Sequence, residues 1–346
     1  MLTSFSSNAI AAKARAIYGK RLTVNNYNDL LRLSTVADVC AYLKNNTSYS
    51  KYLKGIDEST IHRGQLENLL KRSRIEKYLS LCQYDFSSNN SFYQFAITNA
   101  EIHIILNTII LLGSHNTTEI ISKIPSYLQD YSCLDFKEIA NVKSYDDLIK
   151  VLEHTPYRNI LKSFMNSNDE INYRDCEHSL KTFYYNNLID TIEKSYTGKT
   201  RATLLQMVKT EVDITNLGII YRLRKYFNAP PEEVKRYLLP FYYKLNPKTI
   251  EDLLSTTSKE DFIQKMRLNA YTVKMQSVNF NYIEDYTKRL KNLLSRKMMR
   301  FSTHAPIPFY ALSLLTEIEV DNIIKIIEGI RYQNESSQIQ KLLILE

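Results

Sequence analysis

Several short stretches carry residue types that elsewhere bind phosphate, metal or substrate, and each fails on spacing or context. Gly198-Lys199-Thr200 has the tail of a phosphate-binding loop. Such a loop needs a glycine five residues before that Gly198, and Glu193 stands there; the residues ahead of it read as helix, not as a buried strand. Cys176-Glu177-His178 offers two metal ligands, but a site takes three or four, and no second pair has ligand spacing. A free cysteine and an ordinary histidine are the expectation there. His103 lies beside the apolar stripe of a helix and reads as a core or boundary histidine. No Gly-x-Ser-x-Gly elbow is present. Three acids, Glu101, Asp213 and Glu319, are related by repetition and not by clustering. An active site would need one unique cluster, so they read as a structural ion pair or helix contact in each repeat. No motif here supports a catalytic, cofactor-binding or metal-ligating residue or a cofactor, and none is expected; an enzyme of unknown type is left with no motif behind it.

Those acids are placed by a helix that the chain writes three times. In Thr210–Phe227 the apolar stripe is Ile214, Leu217, Ile220 and Tyr221, the rhythm of one buried helical face. Thr316–Ile327 repeats it with Val320, Ile323, Ile326 and Ile327, and Thr98–Ile109 with Ile102, Ile105, Thr108 and Ile109. One acid precedes each stripe. A second element alternates with the first: Asp29–Leu53, Lys137–Leu161 and Thr249–Tyr271, each read as two short helices. Thr47-x-Tyr49 at the end of the first copy matches Thr155-Pro156-Tyr157 in the second; Thr257 and Glu260 form a capping box in the third. Units of about 110 residues are too long for tetratricopeptide or HEAT arrays. They predict three pseudo-equivalent helical lobes: residues 1–125, with an Ala-rich helix over 8–22, then 126–240 and 241–346.

Composition agrees. The 7 glycines and 8 prolines are few for 346 residues, so tight turns are scarce and long helices favoured. The fold class is all-α, with no hairpin signature. Further helices are expected over Gly64–Tyr84, Asp169–Tyr196, from Asn228 (buried face Val234, Tyr237, Leu238, Phe241) and over Phe280–Arg300, with a break at Ser302–Pro308. The longest apolar run, Ile104–Leu112, is interrupted and falls short of the ~20 residues that span a bilayer. With no signal-peptide pattern, the chain is expected neither to be secreted nor to span a membrane, and its four cysteines to be reduced. A net charge of +8 implies an acidic partner: protein, lipid headgroups or nucleic acid.

The ordered set of segments A-K-A-R-A-I-Y-G-K-R-L, S-Y-D-D-L-I-K-V-L-E-H-T-P-Y, E-V-D-I-T-N-L-G-I-I-Y-R-L-R-K-Y-F, A-P-P-E-E-V and P-F-Y-A-L-S-L-L-T-E-I-E-V-D-N-I-I-K-I-I-E-G resembles the C subunit of the bacterial and archaeal V-type (A-type) ATPases, known as the d subunit in eukaryotes. The resemblance covers nearly the whole chain, in order. It departs at Thr98–Ile109, which lacks the Asn found at Asn216 and Asn322. It implies a funnel of three helical lobes on the cytoplasmic face of the membrane rotor ring, with the foot of the central stalk entering its mouth. The implied partners are central-stalk subunits and ring subunits, and the implied role is torque transfer without catalysis, peripheral to the membrane through the ring. Lys13, Arg15, Lys20 and Arg21 on the first helix, and Arg222, Arg224 and Lys225 after the second stripe, are the candidate partner contacts; a solvated surface is the competing reading for each. The rival class is a helical scaffold binding nucleic acid, which needs basic residues gathered on one face with exposed aromatics. Here acids and bases are interspersed and the 26 tyrosines fall mostly on apolar stripes, so no nucleic acid is expected.

Overall fold

The computed structural model describes residues 2–83, 91–114, 116–120, 125–164, 172–256, 258–267 and 282–345. Among these residues there is no strand. The α-helices, in chain order, are α1 (Leu2–Gly19), α2 (Val24–Leu30), α3 (Val36–Asn46), α4 (Ser50–Leu53), α5 (Arg63–Cys82), α6 (Phe95–Gly113), α7 (Phe136–Ala140), α8 (Tyr145–Val151), α9 (Tyr157–Lys162), α10 (Tyr173–Ser195), α11 (Gly198–Lys225), α12 (Pro231–Arg236), α13 (Pro247–Leu254), α14 (Lys259–Arg267), α15 (Ile283–Phe301), α16 (Pro306–Arg331) and α17 (Ser336–Leu342). The chain divides into two compact units, residues 1–89 with 277–346, and residues 90–276.

The thrice-written helix is α6, α11 and α16, and every stripe residue predicted from the periodicity is buried. α11 runs back to Gly198, so the Gly-Lys-Thr stretch is a helix start that follows α10 and not a strand. α16 starts inside the expected break, at Pro306. Its first turn tolerates Pro306 and Pro308 because the N–H groups they lack have no intrahelical partner there. Gly329 in α16 is required by α17: a Cβ at this position would come within 2.5 Å of the Ile339 side chain.

The short-helix element begins in the expected helices, at Val24, Phe136 and Pro247, but its first two copies hold three short helices and not two: α2, α3 and α4, then α7, α8 and α9. Each copy opens on a side-chain cap after a buried leucine: Leu22 then Thr23, Leu134 then Asp135, Leu245 then Asn246. The caps satisfy first-turn amides that no helical carbonyl can reach. Thr35 and Ser144 cap the next helix in the first two copies. In the third, Thr257 and Tyr271 lie outside the described residues, and it is Ser258 Oγ that accepts from the Asp261 amide at 3.0 Å. The Thr-x-Tyr match also has a physical cause. Thr47 and Thr155 each donate to a carbonyl at the end of the preceding helix, Leu43 and Leu152, and each hydroxyl accepts the amide two residues on, Tyr49 and Tyr157.

Phe92–Gly113, a turn of 3-10 helix joined to α6, is by length and composition apolar enough to cross a bilayer, which the interrupted run Ile104–Leu112 alone did not suggest. More than half of its most apolar stretch is buried inside the protein, and it carries the buried carboxylate Glu101, as a core helix does.

Candidate functional site

The three acids are buried, and each fastens the loop that opens the short-helix element of the following repeat. Asp213 accepts from the amides of Tyr243 (3.1 Å), Lys244 (2.7 Å) and Leu245 (3.1 Å). Glu101 accepts from the Ser132 hydroxyl (2.7 Å), the Cys133 amide (2.8 Å) and the Tyr157 hydroxyl. Glu319 accepts from the Leu22 amide (2.8 Å) and the Tyr49 hydroxyl (2.8 Å), and Lys77 Nζ lies 3.6 Å away. The bonds thus run from repeat one to two, two to three, and three to one. The expected ion pair is seen at Glu319, with Lys77; at Asp213 three successive main-chain amides bind the carboxylate.

Three residues beyond two of the acids, an Asn clamps a backbone. Asn216 accepts from the Leu239 amide and donates to its carbonyl, both at 2.9 Å. Asn322 does the same to Ile344, again at 2.9 Å. The first repeat has Ile104 there, and the buried Leu128 occupies the corresponding loop position, six residues before Leu134. Leu128 sits in a tight turn whose amide bonds to the Pro125 carbonyl at 2.9 Å, while its own carbonyl accepts from Tyr131 and Ser132. That loop satisfies itself, so no amide side chain is needed.

Electrostatics follow burial. Desolvation pushes the Lys77 pKa down against the opposing pull of Glu319. It pushes the Tyr49 and Tyr157 hydroxyls up, reinforced by the carboxylates they contact, and the Cys133 thiol up to about 12. A cleft of about 210 Å³ beside Glu319 is lined by Tyr18, Arg21, Lys77, Arg296 and Asn322 among others. Each carboxylate already accepts two or three hydrogen bonds from the protein, so these centres are suited to holding loops.

The remaining chemical candidates disperse. Cys176 contacts the Tyr145 hydroxyl at 3.8 Å, and His178 Nδ1 meets the Tyr237 carbonyl at 3.1 Å; burial lowers the His178 pKa. His103 is exposed and not at the core boundary, because it lies on the outer face of α6. Among the described residues no group of three or more His, Cys, Asp or Glu could hold a metal. None of the four cysteines is in a disulfide.

The seven basic candidates fall on separate surfaces. Lys13, Arg15 and Lys20 are exposed on and just after α1, and the Arg15 guanidinium donates to the Ser302 carbonyl. Arg21 stacks over Tyr18, 4.2 Å from the ring centroid, and with Lys20 lines an open cleft beside Asn45 and Asn46. In the other unit, Arg222 lines a cleft of about 300 Å³ with Arg174, His178 and Phe227. Arg224 is spent on the end of α11, donating to the Ala229 carbonyl at 2.8 Å, and Lys225 is exposed. The partners Lys77, Tyr49, Asn216 and Asn322 are not legible in the sequence as a network. Tyr49 is visible as a repeat end and the two Asn as a shared letter, whereas Lys77 leaves no signal.

The profile of the ATP synthase (C/AC39) subunit family matches residues 10–342. The chain belongs to that family. It is 27% identical to the C subunit of the A-type ATP synthase of Methanocaldococcus jannaschii over 60% of this chain and 54% of that protein. It is 26% identical to the same subunit of Methanosarcina acetivorans over 55% and 46%, and 21% identical to that of Archaeoglobus fulgidus over 97% and 95%. Against the first two, the chain spans about half the length of the relative it matches.

Proposed function

We propose that this chain is a non-catalytic central-rotor subunit of an A-type (V-type) ATP synthase, passing torque between the central stalk and the membrane rotor ring during ion transport. The single observation that carries this reading is the family match along residues 10–342. The buried acids support it, because all three are used to fasten loops between successive repeats. Such cross-fastening stiffens a body that must resist twisting, since packed interiors deform little. In this reading the lobes 1–125, 126–240 and 241–346 form a funnel with pseudo-three-fold symmetry, peripheral to the membrane on its cytoplasmic face. Stalk subunits and ring subunits are its partners, and Lys13, Arg15, Lys20, Arg21, Arg222, Arg224 and Lys225 are candidate contacts. A permanent joint of this kind is expected to bury roughly 2,000 Å² or more. The test is to tag the chain in its native cell and identify what co-purifies. Stalk and ring subunits are the expected result. Recovery with RNA or DNA, or alone with a hydrolase activity, overturns the reading.

A further inference from the structure

The positive charge of this protein is not spread evenly. Residues 1–28 hold four Lys and Arg (Lys13, Arg15, Lys20, Arg21) and no Asp or Glu. Residues 286–316 hold six (Lys288, Arg289, Lys291, Arg296, Lys297, Arg300) and again no Asp or Glu. Of the chain's 45 cations and 37 carboxylates, that leaves 35 cations against 37 carboxylates elsewhere. The whole surplus of +8 therefore resides on two segments, and the interspersion of charge expected from the sequence holds only for the rest.

The fold joins those segments. α1 and α15 both pack on α16, and the Arg15 guanidinium on α1 bonds the Ser302 carbonyl at the end of α15. On α15 the residues Leu293, Lys297, Arg300 and Phe301 form one outward stripe, at i, i+4, i+7 and i+8. Lys297 and Arg300 are exposed, Leu293 is 42% exposed, and Phe301 is 77% exposed, the most exposed large apolar side chain in the described residues. Exposed Lys13 and Ala16 on α1, with exposed Lys20 just past its end, form a second stripe. Lys288 is withdrawn from the set by its ion pair with Asp321.

We propose that this α1/α15 face binds the surface of an anionic phospholipid bilayer, with Phe301 and Leu293 entering the headgroup layer and the surrounding Lys and Arg reaching the phosphates. Long cationic side chains flanking apolar ones on a helix face are suited to such an interface. Each Lys or Arg near an anionic surface contributes about 1 kcal/mol of attraction. A rigid acidic protein would have to fix each of these long side chains in register, at a cost in lost rotamer freedom. A fluid anionic surface imposes no register. Nucleic acid binding of single strands draws on several stacking aromatics, and the α15 stripe carries one. The assignment stands on charge placement and exposure, so it does not depend on the proposed rotor role.

The test uses the purified full chain in flotation with vesicles of phosphatidylcholine alone, or with about one-third phosphatidylglycerol. Binding is expected only to the anionic vesicles, and is lost in about 1 M salt, where the screening length falls to about 3 Å. The double substitution Lys297→Ala with Arg300→Ala should weaken binding about thirtyfold, and Phe301→Ser should weaken it while leaving the salt dependence in place. Lys137→Ala with Lys248→Ala, which removes two exposed cations from the other unit, should leave binding unchanged, as should the helical content of every variant. No binding, equal binding to both vesicles, or equal weakening by the two double substitutions overturns the proposal. Failure of the co-purification experiment with vesicle binding intact would overturn the rotor role alone.

Discussion

Asp213 and Glu319 stand at the same place in two copies of one helix, yet they are buried by different means. Asp213, with no exposed surface, takes three main-chain amides from a single loop. Glu319 takes one loop amide, a tyrosine hydroxyl and a lysine from three different elements. The Asp213 loop leads straight into α13 and offers three successive amides, Tyr243, Lys244 and Leu245. At Glu319 the opening loop comes from the N-terminal part of the chain and offers one amide, and side chains from α5 and the start of α4 complete the shell. A carboxylate that holds a run of main-chain amides fixes the path of one loop; one held by side chains from separate elements ties those elements together.

The largest effect should come from breaking the Asp213 centre, where three amides share one carboxylate. Asp213→Ala leaves three amides without an acceptor, two of them only partly covered by the protein, and should cost about 4 kcal/mol. Urea unfolding measures the loss, and faster hydrogen exchange at Tyr243, Lys244 and Leu245 locates it. Unchanged exchange at those amides would break the comparison.

Glu319→Gln should cost about 3 kcal/mol, because it leaves the Lys77 ammonium in a buried place without its carboxylate. Adding Lys77→Met should restore part of the loss, as a double-mutant cycle would register. If the double variant is no better than the single one, the unpaired lysine is not what makes the loss of Glu319 costly.

A third comparison sets the Asn clamps against Ile104. Asn216→Leu removes both bonds to Leu239 and should cost about 2 kcal/mol in urea unfolding. Ile104→Asn should cost about as much for the opposite reason, by placing an amide beside a loop that already closes on itself.

The smallest effect is in pH. His178 has its pKa lowered by burial, so below its ordinary value of 6.5 the unfolded chain takes up a proton that the native chain refuses. Stability contributed by the neutral ring is complete above about pH 6.5 and declines as pH falls through that value towards the depressed native one. His178→Gln should flatten that decline, which thermal unfolding across about pH 5–7.5 would read at well under the cost of the other variants.

The sequence by itself carried the all-helical class, the three stripes, the acids ahead of them and the Thr-x-Tyr ends, because periodicity and local capping act over a few residues and leave a mark in each copy. It also carried the two carboxylate-free segments, as counts. What only the tertiary structure decided is where those acids reach: each helix fastens the next repeat's loop, and the third closes on the first, from Glu319 back to Leu22, a separation that local pattern cannot bridge. The same holds for Lys77, whose place against Glu319 is a consequence of α5 packing on α16, and for Arg15, whose bond to Ser302 ties α1 to the end of α15. Long-range partners are chosen by packing, and one chain read residue by residue records the pattern of each helix but not its neighbour.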